Sequence, residues 1–450
     1  MRTRVTWIWG IAVLISVAVL VACSSKYSSS NNGLVVVSTQ ANAVMDTFSL
    51  DIGNGHISQV FNSNGPPTNG VPTSVVLDPA ADFAYVLVTQ STYVNASSTG
   101  IETFTVASDG KLGSGTTTGL NPSTKATATC ILTQNGNPIT QDIPVTVQAP
   151  VVPAAIVIDS AGKFLFVADA STSAQATYQC NGAPVTGAVP VPGAVSVLAV
   201  SNGTLTEVAG SPFPLPAQTG GTTPSASALA VTPTVYPAAY SICSVNVPPT
   251  TENLYVTDSV NYELLNYSVS SSGVLSLVPT SSTPGIPTGT VPSGVAVDPC
   301  NRFVYVSNGQ PDNSVSAFTV CNAVNLPVCT AADFSLREVT GSPFVAGNSP
   351  GPLMMDAYAN FLYVVDTGQN AISAYRVSTT TGSLTPLSPA TITTNSFPTS
   401  IAIRSDDSWL FVANLNQATV SEYAITPATG TLSPQAPIQT DNFPWGVAVK

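Results

Sequence analysis

Short segments of alternating apolar and polar residues recur along this 450-residue chain. A first run begins with Pro or a small residue, alternates Val, Ile or Ala, and reaches a polar turn. A second run with an aromatic centre follows, and the stretch FLYVVDTGQNAISAYRV from Phe361 contains such a run, a turn and a third run. Alternation over four to eight residues is typical of β-strands. The pattern therefore predicts many short strands arranged in one repeated unit.

The repeated unit contains four predicted strands. A third strand leads into a Gly-bearing hairpin, as in VSEYAITPATGTL from Val420, and a fourth closes the unit, as in LREVTGSPF from Leu336. Repetition of a four-stranded antiparallel unit predicts an all-β, seven-bladed β-propeller. The first strands are PTSVVLDP from Pro72, PAAIVIDS from Pro153, ASALAVTP from Ala226, PSGVAVDP from Pro292, PGPLMMDA from Pro350, PTSIAIRS from Pro398 and PWGVAVK from Pro444.

The two ends of the predicted ring complement each other. The N-terminal part has a second strand (GLVVVS from Gly33), a third (AVMDTFSLD from Ala43) and a fourth (HISQVF from His56), but no first. The C-terminal PWGVAVK is a first strand with nothing after it. Joining these strands predicts a seventh blade, which closes a propeller over residues 33–450 and leaves no open sheet edge.

The N-terminus has the layout of an export signal, because Arg2 and Arg4 precede an uncharged apolar run over residues 5–22. The residues LVAC from Leu20 resemble the bacterial lipobox, which implies cleavage before Cys23 and lipidation of this cysteine. The alternative is an uncleaved helix across the bilayer. The predicted domains are a signal peptide (1–22), a lipidated Cys with a flexible linker (23–32), and the propeller (33–450). The residue after the cysteine is Ser24 rather than Asp, which resembles lipoproteins that are sorted to the outer membrane. We therefore expect an extracytoplasmic protein anchored at the outer membrane or cell surface.

Composition narrows the classes of partner. The formal net charge is -12, and only 8% of the residues are charged. Nucleic-acid binding relies on clustered Lys and Arg, so we expect no nucleic-acid partner. We expect a monomer.

The second strands carry a family resemblance. NLYVTD from Asn253 resembles the YVTN repeat, and the chain after the linker resembles the seven-bladed propellers that include lactonases of the 6-phosphogluconolactonase type. The resemblance implies lactonase chemistry, with a cluster of His, Arg and acidic residues on one face of the channel. His56 is the only histidine, and it lies in the predicted hairpin of the closing blade, toward the outside of the ring. The expected cluster is therefore not evident, and enzymatic activity stays open.

Six cysteines follow Cys23, and disulfides persist in extracytoplasmic compartments. Connections from fourth to first strands and from second to third strands share one face of a propeller, whereas the other two kinds of connection share the opposite face. This topology predicts three pairs. A metal or redox site would need clustered Cys and His. The predicted pairs are Cys130–Cys180, Cys243–Cys300 and Cys321–Cys329.

Two rings of polar residues end the predicted strands. Either ring could cap turns through side-chain hydrogen bonds, and the first could also hold a calcium ion, which is the one cofactor candidate. Arg404 interrupts the second ring and could pair with a neighbouring Asp. The second strands end with Ser38, Val88, Asp169, Asp258, Asn308, Asp366 and Asn414, and the first strands with Asp78, Asp159, Thr232, Asp298, Asp356, Arg404 and Lys450.

One residue breaks the repeat at the channel mouth. The position after the leading residue of each first strand is small or hydroxylated in six copies, but it is Trp445 in the seventh. Trp445 is a candidate ligand contact, or else it plugs the channel. We predict a lipid-anchored envelope module that binds a protein, glycan or small ligand on the face bearing the inserts 121–152 and 171–192. The alternatives are a lactonase acting on a sugar-acid lactone and a calcium-stabilised structural propeller.

Overall fold

The computed structural model describes most of the chain from residue 32 onward. The predicted signal peptide and nearly all of the predicted linker, including Cys23, lie outside the described residues. Within the described part, no helix has the length and apolar character needed to cross a bilayer. The described residues are 32–41, 43–51, 56–60, 65–90, 99–121, 125–134, 137–147, 150–181, 183–217, 222–233, 252–278, 284–322, 329 and 332–450.

The predicted seven-bladed, all-β propeller is confirmed. Each blade is an antiparallel meander of four strands, and four blades add a two-residue strand that pairs with the third strand. A 3-10 turn at Leu415–Gln417 is the only helical element among the described residues. From the centre outward, blade 1 contains Val71–Leu77, Phe83–Thr89, Gly100–Thr105 and Thr116–Gly119, and blade 2 contains Pro153–Ile158, Phe164–Asp169, Ala194–Ser201 and Thr204–Glu207, with the added strand Phe213–Pro214. Blade 3 contains Ala226–Val231, Glu252–Asp258, Glu263–Val269 and Leu275–Leu277, with Ile286–Pro287, and blade 4 contains Pro292–Val297, Phe303–Asn308, Ser314–Val320 and Leu336–Glu338, with Phe344–Val345. Blade 5 contains Pro350–Met355, Phe361–Asp366, Ala371–Val377 and Leu384–Thr393; blade 6 contains Pro398–Ile403, Trp409–Asn414, Thr419–Ile425 and Leu432–Pro434, with Ile438–Gln439; and blade 7 contains Pro444–Val449, Asn32–Thr39, Val44–Asp51 and His56–Gln59.

Blade 7 joins the two ends of the chain, as predicted. The strand Pro444–Val449 pairs antiparallel with Asn32–Thr39. The pairing continues beyond the strand, because the amide of Leu34 donates to the carbonyl of Lys450 at 3.1 Å and the amide of Lys450 donates back at 2.9 Å. The ring is therefore closed by a hydrogen-bonded seam between residues far apart in the sequence.

The aromatic residues of the second strands pack beneath the next blade. Tyr363 is fully buried, and its hydroxyl donates to the carbonyl of Gly430 in the hairpin of blade 6 at 2.8 Å. Gly430 has a φ of 73°, and a Cβ there would lie 2.3 Å from the ring of Phe361. Tyr305 and Gly382 repeat the contact between blades 4 and 5, at 3.0 Å. The aromatic repeat therefore builds the interfaces between blades.

Two β-hairpins rise from blade 2. Lys125–Gln134 pairs with Asn137–Thr146 in the predicted insert 121–152, and Thr172–Cys180 pairs with Ala183–Val191 in the insert 171–192. The two inserts have a small core of their own, since their small side chains bury one another. This small cluster contains Ala126, Ala128, Val147, Ala174, Ala176, Val189 and Val191. We call the side of the ring that bears the hairpins the insert face, and the opposite side the far face.

Two of the predicted disulfides are present in the structure. Cys130–Cys180 ties the two hairpins together with its Cα atoms 5.6 Å apart, and Cys321–Cys329 closes the third-to-fourth connection of blade 4. The third predicted pair includes Cys243, which lies outside the described residues. Disulfides persist in oxidising compartments, so these bonds support an extracytoplasmic location.

Candidate functional site at the channel mouth

The seven innermost strands enclose a central cavity of about 470 Å³. Its chemistry changes along its length, because the first strands all run from the insert face to the far face. Hydroxyl groups lie at the insert-face end, and aliphatic side chains such as Leu77, Ile158 and Ile403 lie toward the far face. No charged side chain is among the described residues that line the cavity. The hydroxyls at the insert-face end are those of Thr73, Ser74, Ser227, Ser293, Thr399 and Ser400.

These hydroxyls link neighbouring blades around the ring. Ser227 of blade 3 donates to the carbonyl of Pro292 in blade 4 at 2.8 Å, and Thr399 of blade 6 donates to the carbonyl of Trp445 in blade 7, also at 2.8 Å. Ser293 makes the same bond to Pro350 in blade 5 at 2.8 Å. A hydroxyl carries one proton and two lone pairs. Because the protons of Ser227, Ser293 and Thr399 are donated to backbone carbonyls, the oxygens of these three residues are available chiefly as acceptors.

Blade 5 carries Gly351 where the other blades carry a larger residue, and its neighbour in the turn compensates. Thr367 donates to the carbonyl of Pro398 at 2.9 Å, which is the bond that a hydroxyl at position 351 would make. A Cβ at Gly351 would have only ordinary contacts, with Thr367 Oγ1 at 3.4 Å as its nearest neighbour. Gly351 itself is buried and is not among the residues that line the cavity, where blade 5 contributes Pro352, Leu353 and Met354.

Trp445 lies in this ring, where the sequence predicted it. Its side chain is half-buried and lines the cavity beside the hydroxyl groups. An indole combines a large apolar face with one hydrogen-bond donor. Contact with a ligand stays a prediction.

A ring of acceptors surrounds the mouth on the insert face, further out from the channel. Five blades place an Asp or Asn at the end of the second strand (Asp169, Asp258, Asn308, Asp366 and Asn414). In blade 1 this position is Val88, and in blade 7 the strand register places Thr39 there rather than the predicted Ser38. In these two blades the third strand supplies the carboxylate instead, from Asp46 and Glu102. Sequence reasoning missed this exchange between strands, although the acidic residues appear only in these two third strands at that position.

Most of these acceptors bind the backbone of the connection that enters their own blade. The acceptor fixes the path of the chain toward the channel, which agrees with the structural interpretation of the ring. Within the described residues, no group of three or more His, Cys, Asp or Glu side chains could hold a metal ion. The bonds run from the amide of Asn69 to Glu102 at 2.5 Å, Ser225 to Asp258 at 3.0 Å, Gly289 to Asn308 at 3.1 Å, Gly347 to Asp366 at 3.2 Å and Asp441 to Asp46 at 2.8 Å.

Burial disfavours the charged form of several of these carboxyls. Desolvation raises the pKa of Asp169 to about 7 and the pKa of Asp366 to about 6. Asp366 accepts from Ser373 at 2.6 Å and from the amide of Gly347. Asp169 accepts from Ser196 at 2.6 Å through Oδ2, but its Oδ1 has no donor. Asp169 therefore keeps one buried carboxylate oxygen without a donor, as Asp46 and Glu102 also do.

The far-face ring caps turns within each blade. Asp356 Oδ1 accepts from the amides of Asn360 and Phe361, both at 2.7 Å. Asp298 accepts from the amide of Cys300 at 2.9 Å and forms a salt bridge with Arg302 at 2.5 Å, although its burial raises its pKa. Arg404 pairs with Asp406, as the sequence suggested for a neighbouring Asp. These residues are used in turn formation.

Four Arg and Glu residues that could in principle form a lactonase cluster do not converge at the channel. Arg376 and Glu422 form no salt bridge: Arg376 lies over the ring of Phe361 at 4.8 Å, and Glu422 is buried, which raises its pKa to about 7. Arg302 is engaged at the far face, whereas Glu263 pairs in register with Asp258 at the insert face. His56 begins the outermost strand of blade 7, and its side chain lies outside the described residues.

The closed ring and its ligand-sized channel define the chain as a seven-bladed β-propeller with one polar mouth. Residues 329–447 match the model of a family described as Lactonase, 7-bladed beta-propeller. The resemblance to lactonase-type propellers is therefore confirmed, by the family model over these residues and by the fold over the described ring. A comparison with the curated proteins gives no match.

Solved structures with the same fold cover nearly all of the chain. A putative 6-phosphogluconolactonase from Bacteroides uniformis has 14% sequence identity and a TM-score of 0.61, covering 93% of this chain and 100% of its own. One from Bacteroides fragilis has 15% identity and a TM-score of 0.60, covering 94% and 99%. The periplasmic gluconolactonase of Pseudomonas aeruginosa has 14% identity and a TM-score of 0.59, covering 93% and 99%. At these identities the likeness shows the fold.

Proposed function

We propose that this protein is a lactonase-like binding propeller that takes a neutral sugar-acid lactone, or a closely related polyol, at the insert-face mouth of its channel. The observation that carries the proposal is the set of three hydroxyl oxygens at the mouth, those of Ser227, Ser293 and Thr399, whose protons are already donated to backbone carbonyls. Such oxygens pair with ligands that donate hydrogen bonds, and a sugar ring presents several hydroxyl donors. Trp445 supplies an apolar face for the carbon side of the same ring.

The charge of the mouth selects against phosphorylated ligands. Phosphate recognition relies on Arg, Lys or clustered backbone amides. The described cavity lining contains neither Arg nor Lys, and the chain has a net charge of -12. A neutral lactone is not repelled by this negative charge, so an unphosphorylated sugar-acid lactone fits better than its 6-phosphate.

Hydrolysis of the bound lactone is the second candidate function. It is favoured by the match of residues 329–447 to the lactonase propeller family and by the names of the similar structures. The reaction needs a base or a positioned water and a group that polarises the carbonyl. The described cavity lining offers hydroxyl and backbone groups but no titratable side chain. The comparisons with known proteins therefore favour turnover, whereas the described cavity lining supports binding.

The N-terminal sequence supports a proposal for where in the cell the protein is located. Lipidation of Cys23 would place the propeller at the surface of a membrane, in the outer membrane or on the cell surface, with residues 24–32 as a spacer. Mass spectrometry of the N-terminal fragment of protein from its native membrane tests this point. An unmodified Cys23 would contradict the anchor.

Calorimetric titration with D-glucono-1,5-lactam tests the binding proposal, because this neutral lactam resists hydrolysis. We expect saturable binding that Trp445→Ala weakens by about tenfold, which corresponds to ~1.4 kcal/mol. Trp409→Phe is the matched control, since Trp409 is buried between blades 6 and 7. Absence of binding to the wild-type protein would refute the proposal. A pH-stat assay with the lactone separately measures turnover.

A further inference from the structure

The exposed apolar side chains are concentrated on the insert face. Of the nine large hydrophobic residues that are exposed in the described part of the chain, eight lie on that face or on its hairpins, and Tyr358 alone lies on the far face. Single exposed apolar residues are normal, whereas their concentration on one side indicates an interaction surface. The eight are Val152, Val185, Val260, Tyr262, Val291, Val345, Phe397 and Phe443.

Some of these residues form a collar around the channel mouth. Each collar residue directly precedes the first residue of a first strand, which forms the channel wall. Val152, Val291, Phe397 and Phe443 have exposed fractions of 44%, 45%, 41% and 47%. Ser225 and Ser349 interrupt the collar in blades 3 and 5. The two aromatic members are in the adjacent blades 6 and 7, and Phe443 lies two residues before Trp445.

The backbone of the collar is strained and firmly held. Phe397 has a φ of 58° and Phe443 a φ of 61°, a left-handed region that costs a bulky residue about 1 kcal/mol or more. The amide of Phe397 donates to Asn370 Oδ1 at 2.8 Å, and its carbonyl accepts from Leu415 at 3.0 Å. The carbonyl of Phe443 accepts from Gln40 at 3.0 Å. Val291 and Ser349 have the same left-handed conformation in blades 4 and 5, so it belongs to the repeated turn, and in blades 6 and 7 this turn leaves the two phenyl rings exposed.

We propose that Phe397 and Phe443 form a stacking platform for a second sugar unit, so that the ligand is the end of an oligosaccharide rather than a single sugar. This inference rests on the proposed function, since it extends the same mouth. Aromatic rings pack against the carbon face of a sugar, while the sugar hydroxyls donate to acceptors. The platform adjoins Trp445 and Thr399 at the blade 6 and blade 7 side of the mouth.

The neighbouring polar groups favour a sugar over an apolar peptide. An extended peptide presents alternating donors and acceptors, and its carbonyls need donors. The hydroxyls of Ser227, Ser293 and Thr399 have already given their protons to the backbone. The two serines that interrupt the collar also prevent a continuous apolar groove. A ligand rich in hydroxyl donors matches both parts of this surface.

Calorimetry with two neutral lactams, one derived from glucose and one from a disaccharide of glucose, tests the platform in the full-length protein. We expect the disaccharide lactam to bind about threefold to tenfold more tightly, the range expected for one added aromatic contact. Phe397→Ala combined with Phe443→Ala should remove this gain and change binding of the monosaccharide lactam by less than about twofold. Tyr358→Ala is the control, because Tyr358 is 37% exposed on the far face.

The outcomes separate the platform from the proposed function. Equal binding of both lactams, or a gain that survives the double substitution, would refute the platform and leave the monosaccharide site intact. Loss of binding for both lactams in the double variant, with unchanged thermal unfolding, would mean that the phenyl rings belong to the monosaccharide site and would also overturn the platform. Failure of both lactams to bind the wild-type protein would refute both proposals.

Discussion

The two ends of the same seven inner strands perform different tasks. At the far face, carboxylates such as Asp356 accept hydrogen bonds from amides in the turn of their own blade. At the insert face, hydroxyls such as Ser293 donate to the next blade. The far-face contacts complete each blade, whereas the insert-face contacts join blades around an opening. Polar repeats in a propeller therefore need not mark a ligand site. A ligand site is better indicated by polar groups whose hydrogen-bonding capacity is not used within the protein.

The substitution with the greatest predicted loss of stability tests whether the far face is purely structural. Asp298 is fully buried, caps the amide of Cys300 and pairs with Arg302. Asp298→Ala leaves Arg302 without this carboxylate, and removing one partner of a buried ion pair costs about 3 kcal/mol. Chemical denaturation should show this loss, while affinity for the glucose-derived lactam stays within about twofold of wild type.

Asp109 provides the matched control for that experiment. It also pairs with a basic residue nearby in sequence, Lys111 at 2.8 Å, but both side chains are about half exposed. Exposed ion pairs contribute little, so Asp109→Ala should leave the denaturation midpoint close to that of the wild-type protein. If Asp298→Ala were equally mild, or if it abolished ligand binding in a folded protein, the division of labour between the faces would be wrong.

The next effect compares Asp169 and Asp258, which occupy the same position in neighbouring blades of the insert face. Asp258 accepts four hydrogen bonds, from Ser225, Val260 and twice from Asn261, whereas Asp169 accepts one and has a pKa raised to about 7. A carboxyl whose folded pKa is raised binds more protons in the folded state, so stability falls as pH rises from about 4 to about 7.

Asp169→Asn should therefore stabilise the protein by about 2 kcal/mol at pH 8 and change little at pH 4. Blades 4 and 6 already accommodate an amide here, at Asn308 and Asn414. Asp258→Asn should destabilise the protein at pH 8, because the charge that accepts its hydrogen bonds is lost. Thermal unfolding of both variants at the two pH values measures the contrast. Equal effects of the two substitutions would contradict it.

The ring and its closure could be predicted because strand alternation and repeated turns are local features of the sequence. The hydrogen-bond exchange that uses Asp46 and Glu102 could not, because it depends on register between strands. The collar also escaped prediction, since a residue before Pro is expected to be extended, whereas Phe397 and Phe443 have positive φ values. Hydrogen bonds from distant parts of the chain override the local preference. Such tertiary contacts leave no periodic trace.

A smaller effect concerns the charge of the mouth. Ala154→Lys places a cation in the ring at the mouth, because Ala154 lines the cavity and is exposed. Wild-type protein should prefer the neutral lactam to its 6-phosphate, and the Lys variant should shift the ratio of affinities toward the phosphate by about tenfold. Ala154→Met controls for side-chain length. The shift should shrink with added salt. A Met variant that behaves like the Lys variant would contradict an electrostatic cause.

The smallest effect isolates the hydroxyl ring itself. Thr399→Val keeps the shape of the side chain but removes the donor to the carbonyl of Trp445 and the acceptor for a ligand. One hydrogen bond contributes about 1 kcal/mol, so we expect a loss of that size in stability and a severalfold loss in lactam affinity. Thr399→Ser, which restores the hydroxyl without the methyl group, should recover affinity more fully than stability. Thr380→Val, in an exposed hairpin, is the control.

The contrast between these two substitutions at position 399 distinguishes two roles of one oxygen. If the hydroxyl served only to join blades 6 and 7, affinity would follow stability, and the Ser variant would recover both in the same proportion. If its lone pairs also receive a ligand hydroxyl, the Ser variant binds the lactam almost as wild type does, even where its stability stays reduced. Titration and denaturation of the same protein preparations therefore decide whether the mouth is a seam alone or a seam that also binds.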